Sequence, residues 1–202
     1  MQRDPALQLL ADTLLAAFRA RVPGPEAGAS LDRIAAALDT PAPRRKRPGS
    51  RLPVCAHLDA ALGVETGSAD LAALLEAFRA VEPDLEWARR AAWDETASAN
   101  FPDGHANTMI LGPAGLENRT DVWVGVSLLA PSVRYTDHAH APEETYLVLS
   151  EGEFQHGDSG WFSPGIGGSF YNPPLIRHAM RSGEAPLFAF WALWVASDNR
   201  PA

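Results

Sequence analysis

The sequence predicts a mainly β, α+β fold in which a helical N-terminal region, residues 1–100, caps a single antiparallel β-barrel, residues 101–202. Two observations carry this prediction. Thirteen of the 17 Phe, Tyr and Trp residues follow position 100, whereas the first half is rich in Ala and Leu. Beyond position 100, short apolar runs alternate with Gly, Pro, Asn and Asp, which is typical of short strands joined by turns.

Three segments of the first half carry apolar residues at helical spacing. They cover residues 5–20, 30–38 and 68–80. The second and third segments begin with Ser30 and Ser68, and serine at the start of a helix favours an N-cap. We expect these helices to cover one surface of the barrel or to form the interface of a homodimer.

Between the helices, residues 41–51 form the one charge run of the chain, PAPRRKRPGSR. Such a run is either a basic docking patch or a solvated loop. Pro41, Pro43 and Pro48 interrupt helices and strands alike, so the loop is favoured.

The composition excludes several classes of protein. The net charge is −8, with 25 acidic and 17 basic residues, which argues against a nucleic-acid partner. Cys55 is the single cysteine, so neither a disulfide within the chain nor a multi-cysteine zinc site is expected. Charges interrupt the first twenty positions, and no apolar run approaches the roughly 20 residues of a membrane span. We therefore expect a cytoplasmic protein with no membrane partner.

Eight segments beyond position 100 have the length and composition of short strands. A barrel of about eight antiparallel strands follows from their number. The segments cover residues 106–111, 121–130, 133–140, 144–150, 152–156, 168–172, 176–182 and 187–196.

The segment YTDHAHAPEETY, residues 135–146, contains the side chains that indicate chemistry. Alternate residues of a strand share one face, so His138 and His140 are expected to point the same way. A turn at Ala-Pro-Glu would bring the next strand alongside, with Glu144 and Tyr146 on one face. Two imidazoles, a carboxylate and a phenol would then converge on one point.

A third imidazole, His178, lies in a strand-like run that follows an Asn-Pro-Pro turn. Imidazole nitrogens and a carboxylate without thiolate suit one divalent ion among zinc, iron(II), manganese, cobalt and nickel. Tyr135 faces away in a regular strand and reaches the site only if the strand bends or bulges. The other histidines are expected outside the site, His57 and His105 as structural residues and His156 exposed at a turn.

These residues resemble the two motifs of the cupin superfamily, G(X)5HXH(X)3,4E(X)6G and G(X)5PXG(X)2H(X)3N. The matching positions are His138, His140 and Glu144 in the first motif and Gly167, Pro173 and His178 in the second. The departures are Ser132 and Gly152 in the first motif and Leu175 and Ser182 in the second. The match therefore rests on the metal ligands more than on the turns.

A narrower resemblance covers most of the chain. A helical half followed by a single cupin with Y-x-x-H-x-H-x-x-x-E-x-Y is similar to the cupin-type dimethylsulfoniopropionate lyases, nearest the DddQ type. The resemblance implies cleavage of that small molecule into dimethyl sulfide and acrylate, with Tyr135 in the active site. It implies a metal held by His140, Glu144, Tyr146 and His178. The general cupin pattern instead favours His138 as the fourth ligand, and otherwise His138 is expected to orient substrate or a ligand.

The chemistry of this cleavage suits the residues. Elimination requires removal of the proton α to the carboxylate, and a metal on the carboxylate would stabilise the developing charge. Tyr135 and Tyr146 are both candidate bases, and Tyr135 is slightly favoured because a free phenol need not first leave the metal. Aromatic faces suit the sulfonium. Alternation along 187–196 puts Trp194 and Trp191 on opposite faces of the predicted strand, and Trp194 is favoured as the residue that lines the pocket.

Two other functions remain open from the sequence. One is a metal cupin oxygenase or isomerase acting on a small carboxylate, in which iron(II) with open positions activates oxygen. The other is a non-catalytic cupin that binds a small molecule and uses its helical half for interaction. The extra phenol argues against the oxygenase because it would occupy an open position on the metal.

Overall fold

The helices of the first half begin at proline and capping signals. The computed structural model describes residues 2–195. Asp4 caps the first helix by accepting hydrogen bonds from the backbone N–H groups of Ala6 and Leu7 at 3.1 and 3.2 Å. The helices are α1 Pro5–Arg19, α2 Pro25–Leu38, α3 Leu58–Leu62, α4 Ala69–Val81 and α5 Phe101–Gly104, with 3₁₀ turns at Pro53–His57 and Glu82–Asp84.

The second helix starts earlier than the sequence predicted. Helix α2 begins at Pro25, because proline is favoured in the first turn of a helix. Ser30 consequently lies inside the helix with no exposed surface, so the predicted N-cap at this residue is wrong. Ser68 does occupy the N-cap position of α4.

The strands form two antiparallel sheets. They are β1 Trp87–Ala88, β2 His105–Leu111, β3 Val122–Leu129, β4 Glu143–Val148, β5 Glu153–His156, β6 Ser169–Asn172, β7 His178–Arg181 and β8 Leu187–Trp194. One sheet has the order β1-β2-β3-β8-β4-β6, and β5 pairs with β7 in the other. The antiparallel, mainly β fold class with N-terminal helices is confirmed. Ala196, the predicted end of the last strand, lies outside the described residues.

One predicted strand is wrong, and its absence matters for the site. Residues 133–140 form no regular strand; within this segment only Arg134 and His138 make isolated bridges, to Arg181 and His178. The strict alternation of a strand therefore does not apply between Tyr135 and the histidines. A further departure is β1, a short strand that lies within the region expected to be helical.

Helix α4 packs against one face of β8 through aromatic side chains. The ring of Phe78 lies 5.3 Å from the ring of Phe188 and 5.5 Å from that of Phe190, in edge-to-face geometry. All three rings are completely buried. The opposite face of β8 is thereby left for the interior between the two sheets.

We expect Phe78→Ala to lower the free energy of unfolding by about 3–5 kcal/mol, because a fully buried ring leaves a cavity between helix and sheet. Urea denaturation measures the change. The substitution Leu9→Ala on α1 is the matched control, since Leu9 is 56% exposed and should cost little. Equal losses in the two variants would contradict this account of the helix–sheet contact.

Residues 41–51 form a loop that is bound to the helical region by ion pairs. Arg44 pairs with Asp84 at 2.6 Å and Arg45 with Glu86 at 2.6 Å.

Among the described residues, no helix combines the length and apolar character that crossing a membrane requires.

Candidate metal centre and active site

Three imidazoles meet between the two sheets. His138 and His140 come from the irregular segment before β4, and His178 is the first residue of β7. The backbones of His138 and His178 hydrogen-bond to each other in both directions, at 3.0 and 2.8 Å. One ring nitrogen from each of the three residues lies within 4.8 Å of the others, which is a geometry that can hold a metal ion.

The protonation of these rings is set by backbone carbonyls. The Nδ1 atoms of His138, His140 and His178 lie 3.0, 2.8 and 2.9 Å from the carbonyl oxygens of Thr136, Pro142 and Ile176. A carbonyl oxygen only accepts, so each Nδ1 must carry the proton and donate. Each Nε2 is then left with a free lone pair, which is the form in which histidine binds a metal.

One of these nitrogens has no hydrogen bond at all within the described residues. His178 is 4% exposed, and its Nε2 atom is buried without a hydrogen-bonding partner. Burial of an unsatisfied polar atom costs free energy, so such an atom calls for an explanation. A bound metal ion supplies one, and the donor set fits it. Burial and the neighbouring His178 also lower the pKa of His138 to about 3, which keeps that ring neutral.

Glu144 lies beside the imidazoles on β4. The side chain is 5% exposed, and its Oε2 atom is 3.4 Å from His140 Nε2 and 3.3 Å from His178 Nε2. Burial opposes ionisation of this carboxyl, but the adjacent His140 and His178 outweigh it and lower the pKa of Glu144. A bound cation stabilises a buried carboxylate in this position.

The carboxylate is oriented by a residue outside the predicted site. Asn172 on β6 pairs with Glu144 in the strand register, and its Nδ2 donates to Glu144 Oε2 at 3.2 Å. His156 in turn lies 2.8 Å from Asn172 Oδ1 through its Nδ1. His156 was expected to be exposed; it is instead partly buried, because this contact draws it against β6.

The two phenols have different surroundings. Tyr146 is 3% exposed and stacks on Phe170, with ring centroids 4.9 Å apart. Burial and the neighbouring Glu144 carboxylate raise the pKa of Tyr146 well above its ordinary value. The negative charge of Glu144 thus opposes ionisation of Tyr146 unless a cation compensates it.

Tyr135 instead receives hydrogen-bond donors. Asn107 Nδ2 donates to the Tyr135 hydroxyl oxygen at 2.7 Å. Burial raises the pKa of Tyr135, while the Asn107 amide and the Arg90 guanidinium act in the opposite direction. Although a regular strand would turn Tyr135 away, the irregular backbone of 133–140 brings it to the same cavity as His138 and His140.

A cavity of about 140 Å³ connects the two phenols with His138, His140 and Glu144. Its lining combines donors, aromatic faces and one cationic side chain. The lining residues are Arg90, Asn107, Trp123, Ser127, Tyr135, His138, His140, Glu144, Tyr146, Met180, Trp191 and Leu193.

Trp194 is not brought to this cavity, contrary to the expectation from the sequence. It lies on the face of β8 that packs towards the helices, where the Arg33 guanidinium carbon is 5.9 Å from its ring centroid. Both faces of β8 are apolar and buried, so alternation alone did not reveal which face lines the site. Trp191, on the other face, lines the cavity where Trp194 was expected.

Gly125 makes room for the Trp191 ring. A Cβ atom at Gly125 would lie 2.3 Å from an atom of that ring, closer than a real contact allows. Strand register puts the two residues opposite each other on β3 and β8. The missing side chain lets the indole lie against β3 beside the cavity.

Comparisons with known proteins identify relatives of the whole arrangement. The dimethylsulfoniopropionate lyase family matches residues 26–189. A protein of Cereibacter sphaeroides named dimethylsulfoniopropionate lyase DddL is 29% identical over 157 residues, or 76% of this chain. That alignment covers 64% of the relative, so the chain spans less than two thirds of its length.

Two crystal structures share the fold. The dimethylsulfoniopropionate lyase DddQ of Ruegeria pomeroyi is 25% identical, with a TM-score of 0.71 over 95% of this chain and 92% of that one. A chain from the crystal structures of the lyases RdDddP and RnDddQII is also 25% identical, with a TM-score of 0.71 over 95% and 93%. With four fifths of its residues matched by the family, the chain belongs to the dimethylsulfoniopropionate lyase family.

Proposed function

We propose that the protein is a metal-dependent lyase that cleaves dimethylsulfoniopropionate into dimethyl sulfide and acrylate by base-catalysed β-elimination. The observation that carries the proposal is a cluster of three imidazole nitrogens within 4.8 Å of one another. It lies beside a cavity whose lining includes two of these histidines, the buried Glu144 carboxylate and two phenols. Family membership and this pair of phenols favour a lyase over the oxygenase or binding-protein alternatives.

The metal would be held by His140, Glu144, His178 and a fourth group. The proximity of the three imidazoles supports His138 as that group, and Tyr146 remains the alternative that the family resemblance implies. The nitrogen and oxygen donors suit zinc, iron(II), manganese, cobalt or nickel. When bound, such an ion supplies a Lewis acid that stabilises negative charge on carboxylate oxygens.

Arg90 is the side chain proposed to orient the substrate. It is the cationic group of the cavity lining, so it attracts the carboxylate end and repels the sulfonium end. The indole faces of Trp123 and Trp191 in the same lining offer a surface on which a sulfonium can rest. The two ends of the substrate are thus distinguished by charge.

Tyr135 is proposed as the proton acceptor. The electron pair of the broken Cα–H bond forms the Cα–Cβ double bond, and the C–S bonding pair leaves with sulfur as neutral dimethyl sulfide. Burial raises the pKa of both phenols, but Asn107 and Arg90 partly offset this for Tyr135, whereas the Glu144 carboxylate raises the pKa of Tyr146 further. General-base catalysis by a positioned phenolate needs the acceptor form at the working pH.

We expect Arg90→Met to raise KM about 10- to 100-fold, because a charge-assisted hydrogen bond is worth about 1.5–3 kcal/mol. Methionine keeps the length of the aliphatic stem and removes the charge. Steady-state kinetics measures the change, with Arg89→Met as the matched control, since Arg89 pairs with Asp103 on the surface. An unchanged KM in Arg90→Met would contradict the proposed orientation.

The function is tested by incubating purified, metal-loaded protein with dimethylsulfoniopropionate and measuring dimethyl sulfide in the headspace. A parallel sample receives 3-(methylthio)propionate, which has the same carboxylate but a neutral thioether. We expect gas release from the sulfonium substrate and no acrylate from the thioether, which has a poorer leaving group. Absence of dimethyl sulfide from the first sample would overturn the proposed function.

A further inference from the structure

A chain of hydrogen bonds crosses the sheet and ends on the Tyr135 oxygen. The indole Nε1 of Trp191 donates to Ser127 Oγ at 3.2 Å. Ser127 Oγ donates to Asn107 Oδ1 at 2.7 Å, and Asn107 Nδ2 donates to the Tyr135 hydroxyl at 2.7 Å. Four side chains from β8, β3, β2 and the segment before β4 are thereby linked.

Strand register produces this chain. Ser127 and Asn107 are directly opposite each other on β3 and β2. Trp191 on β8 lies opposite Gly125 on β3. Gly125 is two residues from Ser127 along β3, so Trp191 and Ser127 are on the same face of the sheet. All four residues line the cavity.

The direction of the chain begins with the indole, because an indole N–H can only donate. The serine oxygen accepts that bond and passes its own hydrogen to the Asn107 carbonyl oxygen. The carboxamide is thereby oriented with its NH₂ group towards Tyr135. Hydrogen bonds that run in one direction polarise one another, so the last acceptor is held more firmly than by a single pair.

We propose that Asn107 and Ser127, supported by Trp191, are positioning residues that hold the Tyr135 oxygen in its reactive orientation. Asn107 donates to a lone pair of that oxygen, so the Tyr135 hydroxyl acts as the acceptor in this hydrogen bond. The hydroxyl hydrogen is therefore free to point elsewhere in the cavity. This inference rests on the proposed function, since Tyr135 acts there on the substrate.

Ser127 has a distinct part in this arrangement. A carboxamide has similar shape in its two orientations, and only one of them presents a donor to Tyr135. The Ser127 hydroxyl selects that orientation by donating to Oδ1. Removal of the hydroxyl allows the amide to turn and present its oxygen, which would draw the Tyr135 hydrogen away from the cavity.

The test compares Asn107→Asp and Ser127→Ala with wild type in the metal-loaded enzyme. Aspartate keeps the shape of Asn107 and the acceptor for Ser127, but it has no N–H to donate. We expect kcat to fall about 10- to 100-fold in Asn107→Asp and about 10-fold in Ser127→Ala, because a misplaced reacting group costs rate. We expect KM to stay within about twofold, because neither residue is assigned to substrate binding.

Thr108→Val is the matched control. Thr108 is the neighbour of Asn107 on β2, and its hydroxyl donates to the Glu86 carbonyl at 3.1 Å on the other face. This variant also loses one partly buried hydrogen bond, so it measures the structural cost alone. Thermal unfolding and metal content are recorded for every variant, and we expect metal content to equal that of wild type.

The double variant Tyr135→Phe/Asn107→Asp closes the test. If Asn107 acts through Tyr135, the residual rate of the double variant equals that of Tyr135→Phe, because both substitutions remove the same interaction. A further loss in the double variant, or kcat values in Asn107→Asp and Ser127→Ala equal to that of Thr108→Val, would overturn the positioning role. An inactive wild-type enzyme would overturn the proposed function and this inference together. If the wild type is active and the Asn107 and Ser127 variants are as active as Thr108→Val, only this inference fails.

Discussion

Tyr135→Phe is expected to lower kcat for dimethyl sulfide release by about 10²–10⁴-fold, the range typical of a lost general base. The substitution keeps the ring that packs on Phe101, with centroids 4.9 Å apart, and removes the oxygen that accepts from Asn107. Tyr135 lies outside the imidazole cluster, so elemental analysis is expected to find the wild-type amount of metal in the purified variant.

Tyr146→Phe is the matched comparison, because it also removes one buried phenol oxygen from the cavity. We expect a smaller loss of activity, together with weaker metal retention that added metal partly corrects. If Tyr146 is the base instead, activity is lost at full metal content and excess metal does not restore it. Near-normal activity in both variants would contradict the phenolate mechanism altogether.

His178→Ala is expected to weaken metal binding by at least about 10- to 100-fold. Removal of a residue that only hydrogen-bonds to a metal ligand already costs about that much, and His178 is proposed as a ligand itself. The physical reason is the removal of a buried nitrogen that has no hydrogen-bonding partner within residues 2–195. Elemental analysis of the dialysed protein measures the effect, and turnover is expected to fall with it.

His57→Ala serves as the control for His178→Ala, because His57 lies in a 3₁₀ turn of the helical region. It should keep the metal content and activity of wild type. Full metal retention in His178→Ala would rule out the assignment of this residue as a ligand, whatever the activity of the variant.

The proximity of the histidines could be predicted from the sequence because it depends on local spacing. His138 and His140 are two residues apart, and Glu144 follows after a short turn, so any antiparallel arrangement of the two segments brings them close. His178 was found through its turn signal and the motif match. A strand was not needed: the irregular backbone still brings both histidines to the site.

The position of Tyr135 could not be predicted in the same way. Its direction depends on whether 133–140 is a regular strand, and the sequence predicted a strand because the segment has the length and composition of one. The structure forms only isolated bridges in this segment. The objection that alternation raised against Tyr135 therefore does not apply.

The rest of the cavity lining comes from residues far apart in sequence. Arg90 precedes β2 in a region expected to be helical, while Asn107, Ser127 and Trp191 belong to three strands. Their meeting depends on strand order and register, which short-range patterns do not contain. The sequence could not decide between Trp194 and Trp191 because both faces of β8 are apolar, and only the docking of α4 distinguishes the two faces.

The most direct test of metal-dependent elimination at this site is a measurement of both products before and after metal is restored. The protein is stripped with a chelator, dialysed, and assayed with dimethylsulfoniopropionate alone and with each candidate divalent ion. We expect no turnover in the stripped protein and, after metal is restored, equal amounts of dimethyl sulfide and acrylate. Equal turnover with and without metal, or dimethyl sulfide without acrylate, would contradict this expectation.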